Sequence, residues 1–504
     1  VTSPEFDSKA AWRALWALVI GFFMILLDTT IVSMAMPAIM GALHADLTAI
    51  IWVNSAYLLT FAVPLLITGR LGDRFGPRNI YLIGLVLFTG ASAWCGLSPS
   101  IGSLIAARAV QGFGAAMMSP QSMTMITRLF PYRHRGAAMG VWGAVAGVAS
   151  LVGPIAGGLL VDTLGWEWIF FINLPVGVLT FILVMRWVPK LQPHSPTFDT
   201  LGVILSAAAM FALVYGIQEG DSTNWEPFIG PIGSVHLIVA GLVLFAAFIW
   251  WQSRTTKEPL VPLGLFRDRN FSLANLGISF MGLAITTLSL PMIFYLQSVR
   301  ELSPTQAALL MSPMAIVSAV CAPWVGKRVT AHDPRKFAIP GFALFGGGIV
   351  SYAFLMHADT PLWVLLLPPV LQGLGSAMIW PSLSLTATRD LGPANAGAGS
   401  GVYNTTRQIG AVLGSALIAV MMQSRISAQV QSQAGPDAPL PDVSGELTPG
   451  AVLPDFLHEP ISVGLGQAML LPGLVALAAI LVVVFFRGRP AEQPQQAKQP
   501  VQQD

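Results

Sequence analysis

Along this chain, apolar runs of about 20 residues, each long enough to cross a roughly 30 Å hydrocarbon layer as a helix, alternate with short polar breaks. The runs fall at 13–37, 50–69, 80–97, 102–127, 137–160, 168–188, 200–219, 232–252, 271–296, 304–325, 338–356, 361–385, 397–422 and 463–486. The pattern predicts an all-α, polytopic membrane protein with fourteen spans. Many runs contain Gly and Pro, which membrane helices tolerate when neighbours re-satisfy the freed backbone groups. The first run resembles a signal peptide in position only: it is too long, lacks a small-residue cleavage site and is followed by many like it.

The basic residues test that count independently, because cytoplasmic loops concentrate Lys and Arg. With the amino terminus inside, all but four of the 26 Lys and Arg fall in inner segments; Arg300 and Arg425 lie outside, and Arg108 and Arg407 fall within helices. Both ends are therefore expected in the cytoplasm. The chain also repeats itself: VQGFGAAMMSP (110–120) matches LQGLGSAMIWP (371–381). The same ungapped offset aligns GAAMGV (136–141) with GAGSGV (397–402), and GRLGDRFGPR (69–78) has a degenerate echo in GKRVTAHDPR (326–335). Duplicated halves around a central site are a common transporter plan. The expected organisation is one six-helix bundle over 1–188, two inserted helices within 189–270, a second six-helix bundle over 271–486 and a polar inner tail over 487–504. The segment 423–462, acidic and rich in Pro and Gln, reads as a mobile outer flap or a plain linker.

Composition narrows the class further. Hydrophobic residues make up 54% and charged residues 10% of the chain, against about 25% charge in soluble domains. A net charge of +2 gives no reason to expect a nucleic-acid partner. Cys95 and Cys321 lie in apolar runs, so neither a disulfide framework nor a metal site is expected. No GxxxxGK[ST] phosphate loop occurs, and no cofactor or enzymatic chemistry is indicated; energy must come from an ion gradient or the solute's own.

Asp28, in FFMILLDTTIVSMAMP (22–37), is the acid placed deep within a run. Intramembrane acids are functional by default, and burial or a nearby cation tunes such a group to bind and release a proton. The bland alternative is a structural Asp bonded to its own helix. Arg108 shares a helix face with Gln111 at a spacing of three, and lies at a similar depth to Asp28, so the two are expected to interact; a structural Arg bonded to carbonyls is the other reading. Arg407, on a face with Tyr403 and Asn404, either helps bind substrate or fastens helices. GAVAGVASLVGPIAGG (143–158) places Gly147, Gly153, Pro154, Gly157 and Gly158 on one helix, suited to close approach and bending. Met117, Met118, Met123, Met125, Phe22, Phe23, Trp142 and Tyr403 line a permissive pocket or simply fill the core.

These motifs together resemble the major facilitator superfamily, in its fourteen-helix drug:proton antiporter branch. GRLGDRFGPR is similar to the family's loop between helices two and three, RAVQGFG to its helix-four motif and GPIAGG to its antiporter motif. LDTTIVSMAMP, WEWIFFINLPVG, FDTLG and PLVPLGLFRDRNF resemble segments of that branch; Ser33, Pro77 and Glu167 depart from its usual residues. The resemblance implies two six-helix bundles with two extra central helices. It also implies proton-coupled multidrug efflux of amphipathic or cationic compounds by alternating access, a basis of antibiotic resistance. Asp28 and Arg108 would couple protons, and Asp28, Gln111, Tyr403, Asn404 and Arg407 would line the substrate cavity. Gly69, Asp73, Arg74, Gly76 and Arg78 would form the gate, with Asp73 near the positive start of the thirteenth helix. The expected setting is a bacterial plasma membrane, with a monomer binding small molecules, protons and lipid. Export of an envelope lipid or secondary metabolite is the nearest alternative, and proton-coupled nutrient import a more distant one.

Overall fold

The computed structural model describes residues 7–45, 47–192, 199–222, 233–255, 259–389, 391, 395–434 and 454–487. All regular elements among them are helical. The first half holds α1 (Ser8–Leu43), α2 (Leu47–Ala62), α3 (Leu65–Phe75), α4 (Pro77–Gly96), α5 (Ile101–Leu129), α6 (Tyr132–Leu164), the single turn α7 (Trp168–Phe171) and α8 (Asn173–Trp187). An antiparallel pair follows, α9 (Thr200–Ser222) and α10 (Ser234–Arg254). The second half holds α11 (Arg269–Phe294), α12 (Pro304–Val329), α13 (Arg335–Leu355), α14 (Leu367–Thr388), α15 (Ala396–Ala434), α16 (Asp455–Ala468) and α17 (Leu470–Val483).

Local chemistry sets many of the helix ends. Asp7, Ser100, Asp268 and Ser303 cap α1, α5, α11 and α12 by accepting from a backbone N–H three residues on, which satisfies one of the orphan donors of a first turn. Gly76 ends α3 with φ +86°, a conformation that glycine adopts without strain, and Pro77 opens α4. Pro64 follows the end of α2, and its missing N–H accounts for the 46° bend between Trp52–Ala62 and α3.

Among the described residues, eleven helices are long and apolar enough to cross a membrane, or twelve if the bent α2–α3 pair counts as one span. That differs from the expectation of fourteen. The two long helices outside this number are α6, of 33 residues, and α15, of 39. Both are heavily packed by protein, α6 against α1 and α12 and α15 against α11 and α3.

Two segment boundaries also differ from the sequence reading. The motif 69–78 is not a loop: Gly69–Phe75 continues α3, and Gly76 alone breaks the helix. The segment 423–462 is not an open loop throughout, because α15 runs on to Ala434 and α16 begins at Asp455. The residues after Met422 are polar but good helix formers; hydropathy reports affinity for lipid, not helicity. The remaining stretch, 435–453, lies outside the described residues, as does the tail from 488.

Helices α1–α8 pack chiefly on one another, as do α11–α17, and the two sets meet along α6–α12 and where α3 and α5 reach α15. The repeat in the sequence is also a repeat in packing. A Cβ on Gly114 would lie 2.8 Å from the Gly84 carbonyl, and one on Gly375 would lie 2.6 Å from the Gly341 carbonyl. The same glycine pair thus seats α4 on α5 and α13 on α14, letting backbones approach as small residues do in membranes.

Candidate functional site

Asp28 lies on α1, fully buried at 0% exposure. Arg108 of α5 donates from Nη1 to its Oδ2 at 2.5 Å, and Gln111, three residues on, donates to Oδ1 at 2.8 Å. Asn173, the first residue of α8, donates to the same oxygen at 3.1 Å and to Ser92 Oγ at 3.0 Å. Arg108 also donates to Gln111 Oε1 at 2.7 Å and from Nε to the Val53 carbonyl at 3.2 Å. The Tyr57 ring lies 4.1 Å from its Cζ, a cation–π contact that further offsets desolvation of the charge. Arg108 Nη2 is left buried without a partner. Removing one member of such a buried pair costs about 3–5 kcal/mol, because the other charge is left uncompensated. The carboxylate is thus held by three side chains from two other helices, in a site closed to solvent.

A second polar centre joins the halves at the end of the bundle where α3 finishes and α15 starts. Asp73 accepts from the backbone N–H groups of Gly397 and Ala398, both at 3.1 Å, the orphan donors at a helix start where a negative charge is favoured. Arg128 pairs with it at 3.1 Å and Arg70 at 3.6 Å. Gly69 and Gly397 make the approach possible: a Cβ on Gly69 would sit 2.7 Å from the Gly397 carbonyl. Nearby, Arg135 of α6 donates to the Thr388 carbonyl at the end of α14 at 3.2 Å, a second tie between the halves.

The other expected gate residues are placed around this centre. Arg70 donates to the Pro259 and Leu260 carbonyls and so ties α3 to the chain that leaves α10. Arg78 donates to the Met185 carbonyl at 2.5 Å, and Arg74 lies 5.2 Å from the Phe75 ring. On α6, which stays helical through Pro154, Gly153 packs against Thr30 of α1. A Cβ on Gly147 would lie 3.6 Å from Ala315 of α12 and one on Gly158 4.0 Å from Thr305, and Gly157 is buried.

The expected cavity residues separate into two groups. Asp28 and Gln111 belong to the buried cluster above, whereas Tyr403, Asn404 and Arg407 lie on α15. Asn404 bridges the halves weakly, its Oδ1 3.5 Å from Ser119 Oγ of α5. No hydrogen bond links the Asp28 cluster to Tyr403 or Arg407 among the described residues. Phe22 and Trp142 stack with centroids 4.4 Å apart, and Trp142 meets the edge of Trp380 at 6.3 Å.

Sequence reasoning missed Asn173, Tyr57 and the Asp199 clasp. Asn173 is a polar residue inside an apolar run, which is itself a signal for function. Asp199 is buried where α9 begins; it accepts from the Gly202 N–H, Trp251 Nε1 and Gln252 Nε2, fastening α9 to α10. The Gly202 contact has the ordinary three-residue spacing of a helix cap, but nothing in the spacing marks Trp251 and Gln252 as partners.

Residues 18–415 match the Major Facilitator Superfamily. An "Uncharacterized MFS-type transporter" of Mycobacterium tuberculosis is 49% identical over 475 residues, 94% of this chain and 81% of that protein. The "Tetracenomycin C resistance and export protein" of Streptomyces glaucescens is 32% identical over 499 residues, 94% of this chain and 91% of that protein. Among solved structures, the fold is similar to that of the human organic anion transporter MFSD10 (TETRAN), with a TM-score of 0.63 at 14% identity over 94% of this chain and 99% of that one. A family match over most of the length, on a fold of two like helical halves, leads to one conclusion: the chain belongs to the Major Facilitator Superfamily, as a multi-pass membrane transporter of small molecules.

Proposed function

We propose that this transporter is a proton-coupled antiporter of the fourteen-helix branch, exporting amphipathic compounds, cationic ones among them, by alternating access. The observation that carries the reading is the Asp28–Arg108 pair, sealed at 0% exposure with Gln111 and Asn173 as further donors. A proton arriving on Asp28 cancels its charge and releases Arg108 from the pair, so protonation is coupled to rearrangement of α1 against α5. Loss of the proton restores the pair and resets the site. Arg108 and Gln111 act through Asp28, and the glycine-rich face of α6 with Pro154 lines the contact that opens and closes.

The remaining parts of the reading follow from this. The α6 and α15 helices, long enough at about 1.5 Å per residue to cross a bilayer, supply the two spans that bring twelve to fourteen. Residues 1–188 and 271–486 act as two bundles, with 189–270 inserted, and move as one monomer. The distribution of Lys and Arg supports a reading in which both termini and the Asp73 contact face the cytoplasm, in a bacterial plasma membrane. Breaking the Asp73 contact with α15 would then open the transporter inward. The relative named for tetracenomycin C resistance and export favours a secondary metabolite as an alternative cargo for the same machinery.

The test is flux of a fluorescent cation in everted membrane vesicles under an imposed pH difference, with and without an uncoupler. Wild type should accumulate the dye only while the gradient lasts, and Asp28→Asn should reduce this to the uncoupled baseline. Uphill transport at the wild-type rate by Asp28→Asn would rule out Asp28 as the proton carrier.

A further inference from the structure

Arg407 is a partly buried charge that the ion-coupling scheme does not use. From Gly397 to Arg407 α15 rises about 15 Å at 1.5 Å per residue, about half the thickness of a 30 Å apolar layer. Leu413 and Leu417, 46% and 40% exposed, mark the outward face of this helix, and Arg407 lies about 120° round the helix from Leu413 and about 80° from Leu417 at 100° per residue, on the flank of that face. Its side chain is partly buried, its Nε fully so, and among the described residues it has no hydrogen bond, no ion pair and no aromatic face.

Two further donors in the interior are unanswered. Tyr403, one turn earlier on α15, is 0% exposed, and its hydroxyl has no partner. Trp142, in the same apolar cluster as Tyr403, has a buried Nε1 with no acceptor, while its ring stacks on Phe22 and meets the edge of Trp380. A fixed positive charge within a membrane is costly, and so is each unpaired buried donor. At the Asp28 cluster the protein supplies the acceptors itself. On α15 it leaves the Arg407 and Tyr403 donors without acceptors, which a ligand can supply.

We propose that Arg407 and Tyr403 bind the acidic group of an amphipathic anion, such as an aromatic carboxylate or a phenolate. The guanidinium gives a planar, permanently charged fork for a carboxylate, and the tyrosine hydroxyl one turn away gives a second donor. This deepens the export reading above by naming the substrate class, and it depends on that reading only for the direction of transport.

The test is equilibrium binding of two xanthene dyes to the purified full-length protein. Fluorescein carries the acidic groups; rhodamine 6G has a similar ring system but is an esterified cation. Charge-assisted hydrogen bonds of about 1.5–3 kcal/mol correspond to about 10- to 100-fold in affinity. Arg407→Gln should weaken fluorescein binding by that factor and leave rhodamine 6G within about twofold. Arg407→Lys should recover part of the loss, and Tyr403→Phe should weaken fluorescein alone. If Arg407→Gln does not purify, the ratio of the two dyes in the Lys and Phe variants carries the same test. Equal losses for both dyes would assign Arg407 to packing and overturn the proposal, as would wild-type protein that does not bind fluorescein. Because binding needs no gradient, failure here leaves proton-driven efflux of rhodamine 6G untouched, and failure of Asp28→Asn to abolish that efflux leaves this site untouched.

Discussion

Gly84 and Gly114 seat α4 on α5 as Gly341 and Gly375 seat α13 on α14, yet the charges buried in the two halves are handled in opposite ways. In the first half Asp28 and Arg108 neutralise each other, and Gln111 and Asn173 both donate to the carboxylate's other oxygen. In the second half Arg407 is partly buried with no carboxylate partner among the described residues, and Tyr403 leaves its hydroxyl unpaired. The repeat does not carry the ion pair across: the position matching Gln111 is Gln372, but the position matching Arg108 is Pro369. A duplicated backbone plan therefore holds an internal ion pair in one half and a guanidinium without a carboxylate in the other. Packing is governed by small residues that both halves keep, whereas chemistry depends on single polar residues that need not be repeated.

The largest effect that would break this contrast is at the ion pair. Asp28→Asn should destabilise the protein by about 3–5 kcal/mol, since Arg108 is left buried and uncompensated. The double variant Asp28→Asn/Arg108→Gln should recover much of that stability while remaining unable to pump. A double-mutant cycle on denaturation of the purified protein measures this, and additive losses would show that the pair does not act as a unit. Next in size, Gly114→Ala and Gly375→Ala should each cost about 1–3 kcal/mol by overpacking. Similar values in melting experiments would support a shared packing plan; a large difference would limit the likeness to sequence.

Asp73→Asn should have a smaller effect on stability, about 1–2 kcal/mol, because the amide still accepts hydrogen bonds but loses the charge favoured at the start of α15. Its signature is conformational: distances between spin labels on α3 and α15 should lengthen in a larger fraction of molecules. An unchanged distribution would remove Asp73 from the gate. Smallest of these, Asn173→Ala should cost about 1 kcal/mol of hydrogen bonding and slow gradient-driven efflux about fivefold. Asn173→Asp is expected to be worse than Ala, since a second carboxylate against Asp28 repels it. If both variants transport like wild type, Asn173 serves helix packing alone.

Much of the site can be read from one dimension. Asp28 stands out because a carboxylate in an apolar run is expensive, and Arg108 with Gln111 because a spacing of three puts both on one helix face. The contact of Asp73 with the start of α15 goes with its motif. Asn173, Tyr57 and Asp199 do not stand out in this way: each acquires its partners from helices far away in sequence, and a lone Asn or Tyr in an apolar stretch is compatible with many surroundings. The fourteen runs illustrate the reverse limit. Hydropathy set the edge of the thirteenth run at 422, but α15 continues to Ala434 because polar residues such as Gln423 and Gln429 still favour a helix.

The residue pattern alone determined that this chain is helical, membrane-bound, duplicated and furnished with few buried charges, because apolar length, repeat spacing and the rarity of intramembrane charge are properties of the chain itself. Only the tertiary structure decided which of those charges are answered. Whether Arg108 meets a carboxylate and Arg407 does not depends on what the neighbouring helices bring within about 3 Å, and no spacing along one helix specifies that.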